Sequence, residues 1–203
     1  MDTIKTIFIY LFLFLFACPV VFSQKTATTE DGQKVILQED GTWMYADEQQ
    51  QAEGLSCEDL ISIETDKMTG KSVIGAKKLL KVLKDEENQN GFAIFVHKGK
   101  RSIIFSIKVL GASNCIQDDS RILILFRDGE RMELTNEGGA NCEANFTLMF
   151  EGPAGKKREL RKFGSKEVES FRIWTARGFV ENDFSPIQSL HFMKIVSCLT
   201  DKL

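Results

Sequence analysis

The chain has 203 residues, a net charge of −3, 43% hydrophobic residues and three prolines. That composition excludes a disordered or low-complexity polymer, and the near balance of 26 basic and 29 acidic residues excludes an electrostatic nucleic-acid binder. It leaves enough chain for one well-filled core with a small appendage.

Residues 1–23 have the layout of a secretory signal peptide: the amino terminus and Lys5, an uncharged apolar run over 7–16, then small or turn-forming residues. Val21 and Ser23 stand at the −3 and −1 positions for cleavage before Gln24. The charge-free run 6–24 is barely long enough for a bilayer span, which takes about 20 residues, and Pro19 interrupts it. A lipid anchor at Cys18 is the competing fate, although Phe16 fits a lipobox poorly and Pro19 follows directly. The expectation is an exported protein of the periplasm or cell surface, with no transmembrane segment in the mature chain.

Residues 24–46 read as a small β-meander. The turn pairs Asp31-Gly32 and Asp40-Gly41 bracket the β-prone run around Val35, Ile36 and Leu37, and Trp43 and Tyr45 follow. Residues 47–56, with three consecutive glutamines, read as a polar linker. The stretch 24–56 carries two lysines against seven carboxylates, which leaves the rest of the chain slightly basic.

Residues 57–203 read as a disulfide-bonded, mainly-β domain. A strand is expected at 60–63 and a turn at 66–71. Residues 72–83 fit either a continuing strand or a short amphipathic helix over 76–83, and 85–90 a polar loop. A two-residue turn at Lys98-Gly99 would set Ile94 opposite Ile103 and Phe92 opposite Phe105. A two-residue turn at Asp128-Gly129 would set Leu125 opposite Met132 and Leu123 opposite Leu134. Phe146, Leu148 and Phe150 alternate in a further strand. A short basic helix over 156–163 ends at Gly164, and 168–174 returns to strand. Ser185-Pro186 marks a helix start, with the helix running to about Leu199 and a strand as the alternative.

Four cysteines remain after the leader, an even count that favours disulfides in an exported chain. Cys115 and Cys142 are equidistant from the Asp128-Gly129 turn, which would place them opposite each other. Cys57 and Cys198 pair by elimination. No Cys-x-x-Cys pair and no close ligand pairs point to redox chemistry or zinc, and His97 and His191 are the only histidines. No cofactor or metal is implied.

Other leads each have a plain structural counterpart. Lys156, Lys157, Arg158, Arg161 and Lys162, with Lys166, could meet an anionic surface or form a solvated helix face. Lys98, Lys100 and Arg101 at a hairpin tip read as edge protection. Trp43 with Tyr45, and Trp174, could form a binding platform or pack into a core. Gln117-Asp118-Asp119-Ser120 is too poor in carboxylates for a calcium loop, and Asn145-Phe146-Thr147 is a glycosylation sequon inside an expected strand. No nucleophile–base motif is visible.

The 29–45 segment, with its Asp-Gly-Thr-Trp, resembles a module that follows the signal in uncharacterised exported Bacteroidetes-type proteins. The main domain is similar to proteins of the same kind in Asp66-Lys67-Met68-Thr69-Gly70-Lys71, Ile124-Leu125-Phe126-Arg127-Asp128-Gly129, the Cys142 region, Phe171-Arg172-Ile173 and Ser197-Cys198-Leu199. The resemblance implies a mainly β fold with one or two helices and an envelope location, and it brings no functional residues. The fold class expected is therefore mainly β or α+β, an antiparallel sheet of hairpins with a C-terminal helix, preceded by a small β-meander. The function expected is that of a non-enzymatic envelope protein that binds a partner protein or glycan or serves as a structural accessory. The alternative is a periplasmic hydrolase using carboxylates only.

Overall fold

Hairpin after hairpin, the β-prone runs pair with their sequence neighbours, and all strand pairing is antiparallel among the described residues. In the computed structural model these are residues 25–30, 34–37, 41, 43–46, 54–85, 90–111, 115–151 and 156–201; the leader with Cys18, and linker residues 47–53, lie outside them.

Strands β1 (Lys25–Thr28), β2 (Lys34–Leu37) and β3 (Trp43–Tyr45) form the expected meander. Gly41 turns the chain with a left-handed φ of +83°, a conformation that costs glycine nothing. The main domain opens with α1 (Cys57–Leu60) and then adds β4 (Ile61–Thr65), β5 (Ser72–Ala76), β6 (Leu80–Asp85), β7 (Asn90–Lys98) and β8 (Ser102–Leu110). Next come β9 (Arg121–Phe126), β10 (Arg131–Thr135), β11 (Asn145–Glu151), α2 (Lys157–Phe163), β12 (Val168–Thr175), β13 (Gly178–Asp183) and α3 (Pro186–Thr200). A six-stranded sheet runs β11-β8-β7-β5-β4 with β6 also on β7, and a four-stranded sheet runs β10-β9-β12-β13.

Several local expectations need correction. Leu60 ends a helical turn rather than opening a strand, because Ser56 and Asp59 cap it reciprocally. Leu55 packs on the core and Ser56 caps α1, so the polar linker stops short of residue 55. The helix over 76–83 does not form: β5 and β6 occupy successive stretches of one edge of β7. The β7–β8 turn is longer than two residues, with Lys98 opposite Ile103, so Ile94 faces Ile107 and Phe105 faces Val96. The β9–β10 turn takes three residues, Arg127, Asp128 and Gly129, with Gly129 at φ +82°. That moves the register by one: Ile124 faces Met132, Ile122 faces Leu134, and Leu123 and Leu125 turn outward opposite Glu133 and Arg131. Strand β13 has no counterpart among the elements the sequence predicts.

The two large sheets meet in one hydrophobic cluster. Phe92, Phe105, Phe146, Phe126 and Phe171 from the strands, with Phe163 of α2 and Phe192 of α3, are fully buried. Each such side chain stabilises the fold by roughly 1.5–3 kcal/mol relative to exposure. Phe192 joins the sheets, its ring 5.4 Å from Phe105 and 6.0 Å from Phe171. The last element is the helix and not the alternative strand, because Phe192, Ile195, Val196 and Leu199 are buried at helical spacing. Ser185 and Gln188 form its capping box, and the Gln188 side chain donates to the Lys81 carbonyl at 2.9 Å, fastening α3 to β6. Arg127 reaches from the β9–β10 turn to the same helix end, donating to the Phe184 carbonyl at 2.8 Å and lying 3.5 Å from Glu167.

Two disulfides are present, Cys57–Cys198 and Cys115–Cys142. The first ties α1 to α3. The second closes the long connection between β8 and β11, where Ile116 bridges Asn141.

Candidate ligand-binding cleft

Where the sandwich closes along one side, β6 of the larger sheet approaches β13, the outer strand of the smaller one. A cleft of about 690 Å³ opens along this seam, a size typical of small-molecule sites. Five consecutive β13 residues, 179–183, form one wall, and the ends of β6, β7 and β8 form the other through Leu83, Asn90 and Leu110.

Asn182 is the unusual residue. It stands opposite Phe171, on the inward face of β13, and is 5% exposed. Its Oδ1 and Nδ2 are both buried and neither has a hydrogen-bond partner in the protein. Buried side-chain amides ordinarily find partners. Asn136, equally buried at 6%, is fully engaged: Nδ2 donates to the Gln117 and Gly139 carbonyls, and Oδ1 accepts from the Gly138 and Thr147 backbones, all at 3.0–3.1 Å. Two glycines make room on the facing wall. A Cβ at Gly91 would lie 2.0 Å from the Val82 carbonyl oxygen and 3.0 Å from Asn182 Nδ2. One at Gly111, whose φ is +98°, would lie 1.9 Å from Asn90 Oδ1.

The rim is aromatic and charged. Phe179 is 56% exposed. Arg172 lies 4.8 Å from the centre of its ring and donates to Glu181 at 2.6 Å, an interaction that raises the guanidinium pKa further. Trp174, opposite Phe179 in register, has its ring 5.5 Å from the Arg121 guanidinium. Arg121 in turn is held by Glu133 at 3.0 Å. These cation–π contacts stiffen the platform. Glu181 is therefore neutralised locally, and Lys84 and Asp183 supply one charge of each sign at the mouth.

The other sequence leads fall elsewhere. Lys156 pairs with Glu137, and Lys162 and Lys166 dock on Glu130 and Asp128 at the β9–β10 turn, so these members of the basic cluster serve the fold. Lys157, Arg158 and Arg161 remain on the exposed side of α2. Trp43 and Tyr45 pack edge-to-face on the meander at 5.3 Å, away from the cleft lining. Asp118 and Asp119 are exposed in a turn closed by Ser120, and among the described residues no cluster of three or more His, Cys, Asp or Glu is placed to hold a metal. His97 is half-buried, stacked on Phe95, with burial lowering its pKa; His191 on α3 is lowered by burial and then by Lys194 and Lys78. Among the described residues the carboxylates with displaced pKa values are Asp59, Asp66, Asp128 and Glu130. All four are held down by hydrogen bonds, chiefly from Ser56, the Met68 backbone, Lys166 and Lys162 respectively.

Among the described residues the cleft lining offers the exposed Asn90 amide, the Phe179 ring and side chains of both charge signs. Compared with known protein families, curated proteins and solved structures, the chain has no match.

Proposed function

We propose that this is an exported, non-enzymatic binding protein of the cell envelope whose ligand occupies the β6–β13 cleft. The carrying observation is the cleft between β6 and β13, lined by Leu83, Asn90, Leu110 and Val180 with the exposed Phe179 ring at its rim. The location rests on the signal-like leader, and it agrees with two disulfides, which persist in oxidising compartments. Among the described residues no helix is long and apolar enough to cross a membrane. Soluble release after cleavage before Gln24 is favoured over a lipid anchor at Cys18.

A carboxylate-only hydrolase is the second reading, because Glu181 and Asp183 line the same cleft. Its weakness is that Glu181 is committed to Arg172 and Asp183 is exposed, whereas a glycosidase acid sits in a desolvated setting. Cell fractionation with mass spectrometry of the mature amino terminus tests the location; retention in the cytosol with the leader intact refutes it. Titrating isotope-labelled protein with solubilised envelope material tests the site. Shifts at Asn182 and Phe179 are expected, and shifts confined to other surfaces refute the assignment.

A further inference from the structure

The outer face of the larger sheet carries a second groove, of about 620 Å³, which shares only Leu110 with the β6–β13 cleft. We infer that this groove binds a small anionic amphiphile, an anionic head on an apolar chain. In the strand register Lys81 of β6 and Lys108 of β8 stand on either side of Ala93 of β7, so the three share one row and one face. With strands about 4.8 Å apart, the two lysines flank the alanine at a spacing of roughly 10 Å. Both lysines are exposed, and Ala93 beneath them is the floor. Phe95, Ser106 and Thr147 form the next row on the same face. The small side chains of Ala93 and Ser106 leave the hollow, and Leu79, Phe95 and Leu110 give it apolar walls. The Phe95 wall is fixed: its ring stacks on that of His97 at 5.4 Å and lies so close over Gly75 that a Cβ there would be 3.1 Å from it.

Charge selects the head. Among the described residues no Asp or Glu lines the groove. Glu143 stands at the rim, its carboxylate accepting from Asn145 Nδ2 at 3.0 Å and its carbonyl from Lys108 Nζ. Two ammonium groups against one carboxylate leave the groove positive, and the Lys108 ammonium, with three donors, keeps two for a ligand. An extended peptide is the poorer fit. Ala93, Ser106 and Lys108 are each paired on both sides, so the floor lacks the free backbone edge that an added strand needs.

The test is an NMR titration of the full chain with disulfides intact, following the Ala93 methyl group and the Ser106 amide. The probes, kept below self-association, are octanoate, octyltrimethylammonium and acetate. Octanoate should shift both signals saturably, and the other two should not. Lys81→Gln and Lys108→Gln, both at exposed side chains, should each weaken octanoate binding by about two- to fivefold, as exposed ion pairs allow. Ala93→Leu, which fills the floor, should abolish it, with a cooperative melt confirming that the variant is folded. Equal binding of octyltrimethylammonium would show an apolar patch without charge selection, and equal binding of acetate a basic patch without a chain site; either overturns the inference. So does an absence of octanoate shifts. Octanoate shifts confined to Phe179 and Val180 would overturn this site and leave the β6–β13 cleft reading standing.

Discussion

Two buried asparagines give one substitution opposite signs. Asn136→Leu deletes four hydrogen bonds and leaves the Thr147 N–H and Gln117 carbonyl in a buried setting without their partner. At roughly 1 kcal/mol net per bond, the expected cost is about 4 kcal/mol. Asn182→Leu deletes none. It exchanges an unpaired amide for an apolar side chain of similar shape in a site lined by Leu83, Val180 and Leu110. Relieving the desolvation penalty is worth roughly 1–3 kcal/mol, so this variant should equal or exceed the parent. Urea denaturation of oxidised protein reads both through the midpoint, at unchanged slope. In thermal melts of a chain this size each kcal/mol is about 2–4 °C, so Asn136→Leu should melt about 8–16 °C below the parent and Asn182→Leu at or above it. If Asn182→Leu falls with Asn136→Leu, the Asn182 amide is hydrogen-bonded in solution. If Asn136→Leu is neutral, bond counting fails for this protein altogether.

Loss of the Cys57–Cys198 bridge, by double alanine substitution, should cost about 5 kcal/mol and loss of Cys115–Cys142 about 3.5 kcal/mol, from loops spanning 141 and 27 residues in the chain-entropy account; a reversed order in guanidinium titrations refutes it. Gly91→Ala should destabilise by roughly 1–3 kcal/mol through overpacking, because its Cβ meets the Val82 backbone and not a movable side-chain tip; a neutral melt would show that β6 can retreat. His97 and His191 both have folded pKa values below the unfolded value of about 6.5. The unfolded chain therefore binds protons first, and stability should be full above that pH and decline below it until both folded-state values are passed. The lowered carboxylates add a second loss below about pH 4. A His97→Gln/His191→Gln variant should lack the first decline in urea midpoints; its persistence would assign that step elsewhere.

How much of the fold is legible in the sequence depends on whether a strand alternates. In β10, Met132 and Leu134 alternate with Arg131, Glu133 and Thr135, so the buried face is readable and is the one observed. Strand β9 is apolar at five consecutive positions, and alternation cannot say whether Ile122 and Ile124 or Leu123 and Leu125 face the core. The turn had to decide. Asp-Gly suits a two-residue turn, but here Gly129 closes a three-residue one, and the odd shift exchanges the faces of β9. At β7–β8 the error was even, two residues on each strand, so Phe92, Ile94 and Phe105 kept their inward face despite the wrong partners. Cys115 and Cys142 meet, as their equal distance from the Asp128-Gly129 turn predicts, but through two offsets that cancel. The hairpin runs one residue out of the expected register, and an extra residue between Asn136 and Asn141 restores it before Ile116 meets Asn141.

The cleft was illegible for a related reason. Strand β13 puts Phe179 and Glu181 outward and Val180 and Asn182 inward, so polarity does not follow the pleat and the strand escapes a search for alternation. The violation is itself the signal. An inward asparagine is tolerable in two ways: the fold supplies its hydrogen bonds, as at Asn136, or something from outside does. Sequence cannot separate these, because the answer depends on chain that arrives from far away: Gly91 and Val82 beside Asn182, Gln117 and Thr147 beside Asn136. The difference between a satisfied and an unsatisfied buried amide is thus a tertiary property, set by which backbone groups the topology brings within 3.1 Å. At β13 the topology brings none, and the Asn182 amide stays buried without a partner behind the cleft wall.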